Sequence, residues 1–189
     1  MTSSTPPSPG AALGSARSMS APVHLAGYGV DADRFRGLAA SLPTSVSVIT
    51  TTAEDGSPIG MTSGTVCSLS CEPPLLLVCL GKASRTLQAI RDRGRFGVNV
   101  LDSNGSEISA HFASRVEDKF ATTGWRRGRH GSPVLADAVV AFLECELYQV
   151  VDGGDHAIVV GLIMDGEHTD ASPLVYFRRS YSGFGESGA

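Results

Sequence analysis

The chain has 189 residues, of which 42% are hydrophobic and 18% are charged, and its formal net charge at pH 7 is −4. This composition predicts one soluble globular domain that is large enough to bury a core without metal ions or disulfides. The negative charge argues against nucleic acid and anionic membrane surfaces as partners, because both favour a basic protein face.

The two ends of the chain differ in composition from the middle. Residues 1–29 are rich in Ser, Pro, Ala and Gly, and they lack the apolar stretch of a secretory signal. The sequence therefore predicts a disordered tail over 1–29, a folded domain over 30–181 and a flexible tail over 182–189. The longest apolar run, Leu75 to Leu80, is much shorter than the roughly 20 residues that cross a membrane.

The chain contains four cysteines, and none of them forms a Cys-x-x-Cys pair. Three lie in apolar runs with the pattern of strands, which predicts buried free thiols in a reducing cytoplasm. Neither the cysteines nor the five histidines have the spacing of zinc ligands, so no metal site is predicted.

The folded part begins with a helix and a hairpin. Asp31 is a candidate N-cap for an amphipathic helix that Pro43 ends. A first strand follows over 45–50, and the sequence Glu-Asp-Gly-Ser over 54–57 predicts a hairpin turn. We expect the next strand to run without a break over 58–70.

After the Pro73–Pro74 corner, the pattern predicts a strand over 75–80 and a helix that starts at Ser84. Asn104 and Glu107 have the spacing of a capping box before a helix through Phe112. Residues 117–121 predict one more helical turn, 123–132 a Gly/Arg-rich loop, and 151–155 a hairpin turn. Further strands are predicted over 96–101, 138–150, 157–164 and 174–177. Strands joined mainly by hairpins predict an antiparallel barrel with a few added helices.

Hydroxyl side chains crowd the strand over 58–70, at Thr62, Ser63, Thr65, Ser68 and Ser70. In the same strand, Gly60 and Gly64 leave room for another backbone or a flat ligand. A strand that only packs against a core favours Val and Ile at such positions. The pattern therefore predicts the wall of a polar ligand site.

Lys82, Ser84 and Thr86 stand where a helix begins. Free N–H groups and a partial positive charge at a helix N-terminus favour a phosphate group, and these side chains add a cation and two hydroxyls. The alternative is an ordinary serine N-cap beside a solvated lysine. Next to the hydroxyl-rich strand, we favour the phosphate site.

Three other features have two interpretations each. His156 follows a tight Gly-Gly-Asp turn, and it is either an edge-strand histidine or a substrate contact that Asp155 orients. Residues 125–130 form the one basic cluster of the sequence, which is a solvated loop or a patch that steers an anionic dinucleotide. Glu144 and Glu146 share one face of a strand, most simply a solvated face.

The motifs from Phe35 to Tyr181, in their order and spacing, resemble those of the flavin reductase family. This family comprises reductase components of two-component flavin monooxygenases, built on the FMN-binding split barrel. The motifs are Pro43-Thr-x-Val-x-Val-Ile-Thr50, Gly60-Met-Thr62, Ser68-Leu-Ser-Cys-Glu-Pro-Pro74, Leu77-Val-Cys-Leu80, Lys82-x-Ser84-x-Thr86, Phe96-Gly-Val-Asn-Val-Leu101, His111-Phe-Ala113, Asp118-Lys-Phe120, Gly154-Asp-His156 and Leu174-Val-Tyr176.

The resemblance implies a mainly β, antiparallel split β-barrel with a few peripheral helices, assembled as a homodimer. It implies hydride transfer from NADH or NADPH to FAD or FMN, and release of the reduced flavin to a separate flavin-dependent monooxygenase. One alternative is a non-enzymatic flavin-storage protein on the same barrel. A more distant one is a haem-handling or pyridoxine-phosphate oxidase-like protein.

The resemblance also implies site residues. His156 becomes the catalytic contact to the nicotinamide, on the turn formed by Gly154 and Asp155, and Phe112 and Tyr181 become neighbours of the flavin ring or of the dimer partner. The implied flavin contacts are Thr44, Ser45, Met61, Thr62, Ser63, Gly64, Ser68, Leu69, Ser70, Lys82, Ser84 and Thr86. Two positions depart from the family pattern: Gly64 lacks a side-chain contact, and Ser45 stands where glycine is common.

Overall fold

A computed structural model describes residues 29–184 of the chain. The tail predicted over 1–29 therefore lies, apart from its last residue, outside the described residues. The three helices of the described part are α1 (Ala32–Ala39), α2 (Arg85–Arg93) and α3 (Ser106–Ala113). The strands are β1 (Thr44–Ser45), β2 (Ser47–Thr52), β3 (Pro58–Ser63), β4 (Val66–Cys71), β5 (Pro74–Gly81), β6 (Arg95–Leu101), β7 (Trp125–Arg127), β8 (Pro133–Leu135), β9 (Val139–Gly153), β10 (His156–His168), β11 (Leu174–Phe177) and β12 (Ser180–Gly183).

The strands form one large sheet and two small ones. The large sheet has seven strands in the order β3-β2-β6-β9-β10-β5-β4, and a three-stranded sheet has the order β1-β11-β12. β7 and β8 form a separate pair. Every ladder is antiparallel. The prediction of a mainly β, antiparallel fold with a few peripheral helices is confirmed.

The main core lies between α2 and the middle strands of the large sheet. Leu87 and Ile90 of α2 are fully buried in a cluster that includes Phe96 of β6. Gly161 of β10 leaves room for this ring, because a Cβ at that position would lie 2.5 Å from Phe96 Cζ. A second cluster surrounds Phe112 of α3.

Two helix caps and one hairpin turn that the sequence predicted are confirmed. The side chain of Asp31 accepts a hydrogen bond from Arg34 N at 2.8 Å and caps α1. The Ser84 side chain accepts from Leu87 N at 3.2 Å and caps α2. The turn over 54–57 joins β2 to β3, and Ala53 N donates to Ser57 O at 2.8 Å.

The strand predicted over 58–70 is wrong, because the chain leaves the sheet between β3 and β4. These two strands lie at opposite edges of the large sheet. At the break, the Ser63 hydroxyl accepts a hydrogen bond from Thr65 N at 3.2 Å. A hydroxyl that binds a nearby backbone N–H offers the chain a turn instead of a ladder.

Turns closed by aspartate side chains also replace two predicted helical signals. Asn104 does not cap α3: Gly105 is the N-cap, and Asp102 Oδ1 accepts a hydrogen bond from Asn104 N at 2.8 Å. The helical turn predicted over 117–121 is wrong as well. There, Asp118 Oδ1 accepts hydrogen bonds from two backbone N–H groups, those of residues 120 and 121, both at 3.1 Å.

The tertiary structure changes four further predictions. The loop over 123–132 contains β7, and β12 extends to Gly183, within the end predicted to be flexible. Glu144 is only 1% exposed, although it was predicted on a solvated face, because the chain over 128–132 covers it. All four cysteines are free, but Cys67 and Cys71 on the edge strand β4 are exposed rather than buried.

Candidate functional site

A cleft of about 1060 Å³ opens where β3, the start of α2 and the loop after α3 meet. Met61 and Thr62 line it from β3, and Ser84 and Thr86 line it from α2. The Ser84 hydroxyl donates to Met61 Sδ at 3.0 Å. The structure therefore brings Thr62 of the hydroxyl-rich strand to the same cleft as Ser84 and Thr86, whereas Lys82 is not among the lining residues.

Two of the hydroxyl groups that were predicted to contact the flavin form hydrogen bonds with the protein backbone. The Thr62 hydroxyl donates to Ser109 O at 2.6 Å, which ties β3 to α3. Ser63 is buried, and its hydroxyl donates to Cys79 O at 3.4 Å. Thr86 is also buried, at 3% exposure. These side chains hold the wall of the cleft in place, and Ser84 remains half-buried at its rim.

The residues Ser68, Leu69 and Ser70 lie apart from this cleft. They belong to β4, which pairs only with β5 among the described residues and forms an edge of the large sheet. Ser68 and Leu69 are exposed, and Ser70 is half-buried. Their predicted contact with the flavin stays a prediction.

Thr44, Ser45 and Gly64 lie together beside the break between β3 and β4. A Cβ at Gly64 would lie 3.0 Å from Thr44 Oγ1 and 3.9 Å from Ser45 O. Glycine at position 64 thus lets the chain approach β1 closely, which gives this departure from the family pattern a structural reason.

Tyr181 and Phe112 both lie at α3, since Tyr181 contacts this helix and Phe112 belongs to it. Tyr181 Oη lies 2.9 Å from Ser109 Oγ, and its ring lies 5.2 Å from that of Tyr176. Phe112 is fully buried, packs edge-on against Phe120 and lines the inner wall of the cleft.

Lys82 lies against the turn that carries His156. The register of β5 and β10 places His156 opposite Gly81, and Lys82 N donates to Asp155 O at 3.0 Å. Asp155 Oδ1 lies 2.7 Å from His156 Nδ1. This hydrogen bond is the main cause that lowers the pKa of Asp155. The predicted phosphate contact and the predicted nicotinamide contact are therefore neighbours.

The sequence reasoning gave no role to three cations in the cleft, which are Arg85, Arg115 and Lys119. Lys119 Nζ donates to Phe112 O at 2.6 Å. Burial is the main cause that lowers the pKa of Lys119, and the nearby charge of Arg85 adds to the effect. The motif Asp118-Lys-Phe120 was the only sequence signal for this position.

The basic cluster over 125–130 lies outside the cleft. Two of its cations form ion pairs, Arg126 with Glu167 and Arg129 with Asp165. Within residues 29–184, no helix has the length and hydrophobicity to span a membrane. No three His, Cys, Asp or Glu side chains of that range are arranged to hold a metal ion.

The sequence profile of the flavin reductase like domain matches residues 39–185. The chain belongs to the flavin reductase family. It is 45% identical over 167 residues to a flavin reductase (NADH) from Kitasatospora aureofaciens, covering 87% of each chain. It is 39% identical to the reductase subunit of a flavin-dependent monooxygenase from Mycobacterium tuberculosis, covering 82% of this chain and 83% of that one.

A solved structure of the same family has a similar fold. The NADH:FAD oxidoreductase SgcE6 from Streptomyces globisporus, in complex with NAD and FAD fragments, superposes with a TM-score of 0.79. It is 30% identical, and the match covers 84% of this chain and 96% of that chain. Some relatives are longer, and this chain spans 44% of one of them and 53% of another. The resemblance to flavin reductases, and with it the split-barrel fold type, is confirmed.

Proposed function

We propose that this flavin reductase transfers a hydride from a nicotinamide nucleotide to a flavin bound between the cleft and the turn that carries His156. The observation that carries the proposal is the contact between Lys82 and that turn. It puts a cation for a flavin phosphate and a histidine for a nicotinamide side by side. The half-buried Ser84 and the N-terminus of α2 lie next to them.

The residues present fit these two ligands. Lys82, Ser84 and the free N–H groups at the start of α2 can neutralise a phosphate group. His156 can donate a hydrogen bond through the ring nitrogen that does not face Asp155, and Asp155 fixes the orientation of the ring. Nicotinamide and flavin rings supply the hydride chemistry when they are bound, so the protein needs no strong acid or nucleophile.

The size and charge of the cleft favour FAD over FMN. A volume of about 1060 Å³ lies at the upper end of the range for small-molecule pockets and leaves room for the larger flavin. Arg85, Arg115 and Lys119 line the same cleft, and these three cations can pair with the second phosphate that FAD has and FMN lacks. The choice between NADH and NADPH has no comparable feature among the described residues.

The same proposal includes two kinds of protein partner. A homodimer is supported by the edge strand β4, which exposes Leu69 and has a free outer edge in the described part of the chain. A flavin-dependent monooxygenase as acceptor of the reduced flavin is supported by the name of the relative from Mycobacterium tuberculosis.

The test is the loss of NADH or NADPH absorbance in the presence of catalytic amounts of FAD, FMN or riboflavin. We expect turnover with a nicotinamide nucleotide, with FAD giving the highest kcat/KM. Turnover with none of the three flavins, combined with tight flavin binding, would contradict the proposal and favour a storage protein. A higher kcat/KM for FMN than for FAD would contradict the role of the three cations.

A further inference from the structure

Asp152 connects Lys82 to the turn that carries His156. Its Oδ2 accepts a hydrogen bond from Lys82 Nζ at 2.7 Å, and its Oδ1 accepts one from Gly154 N at 3.0 Å. The hydrogen bond from Lys82 is the main cause that lowers the pKa of Asp152. Residues 82 and 152 are 70 positions apart in the sequence, so no local pattern predicts this pair.

The two partners of this ion pair differ in how firmly they are held. The Asp152 carboxylate is held to the turn by a hydrogen bond from Gly154 N, which does not involve Lys82. The Lys82 side chain is 42% exposed, and Asp152 is the one hydrogen-bond acceptor of its ammonium group in the described structure. A flexible side chain at such exposure can move to another anion while the carboxylate stays in place.

We propose that Asp152 competes with a flavin phosphate for the Lys82 ammonium group, and that this competition limits how tightly the protein holds flavin. The inference rests on the proposed function, since it takes Lys82 as the phosphate contact. A phosphate that approaches Lys82 must replace Asp152 as its partner. It must also tolerate the negative charges of Asp152 and Asp155, which both lie near this lysine. Asp152 is thus a positioning residue that keeps flavin exchangeable.

The test is the variant Asp152→Asn, because the amide retains an oxygen for Gly154 N and removes the charge that holds Lys82. FMN and riboflavin are a matched pair of probes that differ only in the phosphate. We expect the Kd of FMN, measured by quenching of flavin fluorescence, to fall about twofold to fivefold, which corresponds to the loss of one exposed ion pair. The Kd of riboflavin should not change.

Two further variants separate the possible failures. Asp165→Asn removes an exposed carboxylate on β10 that is about 30 Å from His156 along the strand, and it should leave both Kd values unchanged. Lys82→Ala should raise the Kd of FMN and leave the Kd of riboflavin unchanged. If Lys82→Ala does not discriminate between the two flavins, the phosphate contact of the proposed function is wrong.

A second outcome is that Lys82→Ala weakens the binding of FMN but not that of riboflavin, while Asp152→Asn leaves the affinity for FMN unchanged or lower. In that case the phosphate contact is right and only the proposed competition is wrong. Weaker binding of FMN would mean that Asp152 orients Lys82 toward the phosphate, and unchanged binding would mean that Asp152 has no effect on this contact. A change of equal size for FMN and riboflavin in Asp152→Asn would also overturn the inference, because it would report a change in the turn rather than in the phosphate contact.

Discussion

Polar side chains gather in two clusters that differ in their partners. The buried cluster, Asn99 and Glu144, binds mainly backbone atoms. Glu144 Oε1 and Oε2 accept hydrogen bonds from the N–H groups of Ser132 and His130, at 2.7 and 2.8 Å. Asn99 Oδ1 accepts from Leu135 N at 2.9 Å, and its Nδ2 donates to β2. The surface cluster, which is Lys82, Asp152, Asp155 and His156, binds mainly through side chains that are 42–94% exposed.

The difference follows from the cost of breaking each contact. A buried N–H group that loses its partner costs about 1–3 kcal/mol, so the buried cluster fixes the segment over 128–135 in one conformation. An exposed ion pair contributes about 0–1 kcal/mol, so the surface cluster can exchange an internal partner for a ligand. In this protein, we expect the free energy of unfolding to depend on the buried cluster. We expect the exchange of ligands to depend on the surface cluster.

The largest expected effect is the loss of the Glu144 side chain. Glu144→Ala leaves two N–H groups without an acceptor and opens a hole beneath the 128–132 segment, next to Gly128. We expect the free energy of unfolding to fall by about 2–5 kcal/mol, measured by urea denaturation. The matched control is Glu146→Ala, two residues further along β9, whose side chain is exposed. Equal losses for the two variants would mean that the buried hydrogen bonds do not stabilise the fold.

A smaller and different effect is expected for His156→Ala in the surface cluster. In the proposed function the histidine donates one hydrogen bond to the nicotinamide, so the KM for NADH should rise about threefold to tenfold. Flavin affinity and the free energy of unfolding should remain nearly unchanged. His168→Ala, at the other end of β10, serves as the control and should alter none of these values. A parallel loss of NADH and flavin binding would show that His156 is structural.

The smallest expected effect concerns the thiols, which report the two environments directly. Cys67 and Cys71 are exposed, whereas Cys145 is 1% exposed and burial raises its pKa to about 12. At pH 8, iodoacetamide should leave Cys145 unmodified in the folded protein and reach it only after unfolding, as mass spectrometry of the peptides would show. Cys67 and Cys71 should react in the folded monomer and be protected where a dimer partner covers β4. Early modification of Cys145 would contradict the burial of this side of the sheet.

The buried thiol of Cys145 also predicts that the free energy of unfolding depends on pH. The pKa of Cys145 in the folded protein lies above its ordinary value of 9.0, so the native state binds this proton more tightly than the unfolded state does. Its contribution to stability is present below pH 9 and is lost as the pH rises toward about 12. Cys145→Ser should flatten this alkaline loss in urea denaturation curves.

Local signals in the sequence predicted a large part of the fold. Asp31 and Ser84 cap helices, and the turn over 151–155 joins the two longest strands, as their residue types indicate. These signals work because a cap or a tight turn depends on backbone groups only a few residues away. The family motifs added the split barrel and the segments that line the cleft.

Only the tertiary structure decided which polar groups are covered and which distant groups meet. Glu144 and Glu146 have the same pattern in the sequence, but a segment from elsewhere in the chain buries just one of them. Ser63 breaks a strand that its neighbours favour. Lys82, which follows β5, pairs with Asp152 of β9, and β10 lies between these two strands. The physical reason is that burial and ion pairing depend on segments far away in the chain, whereas caps and turns depend on adjacent residues.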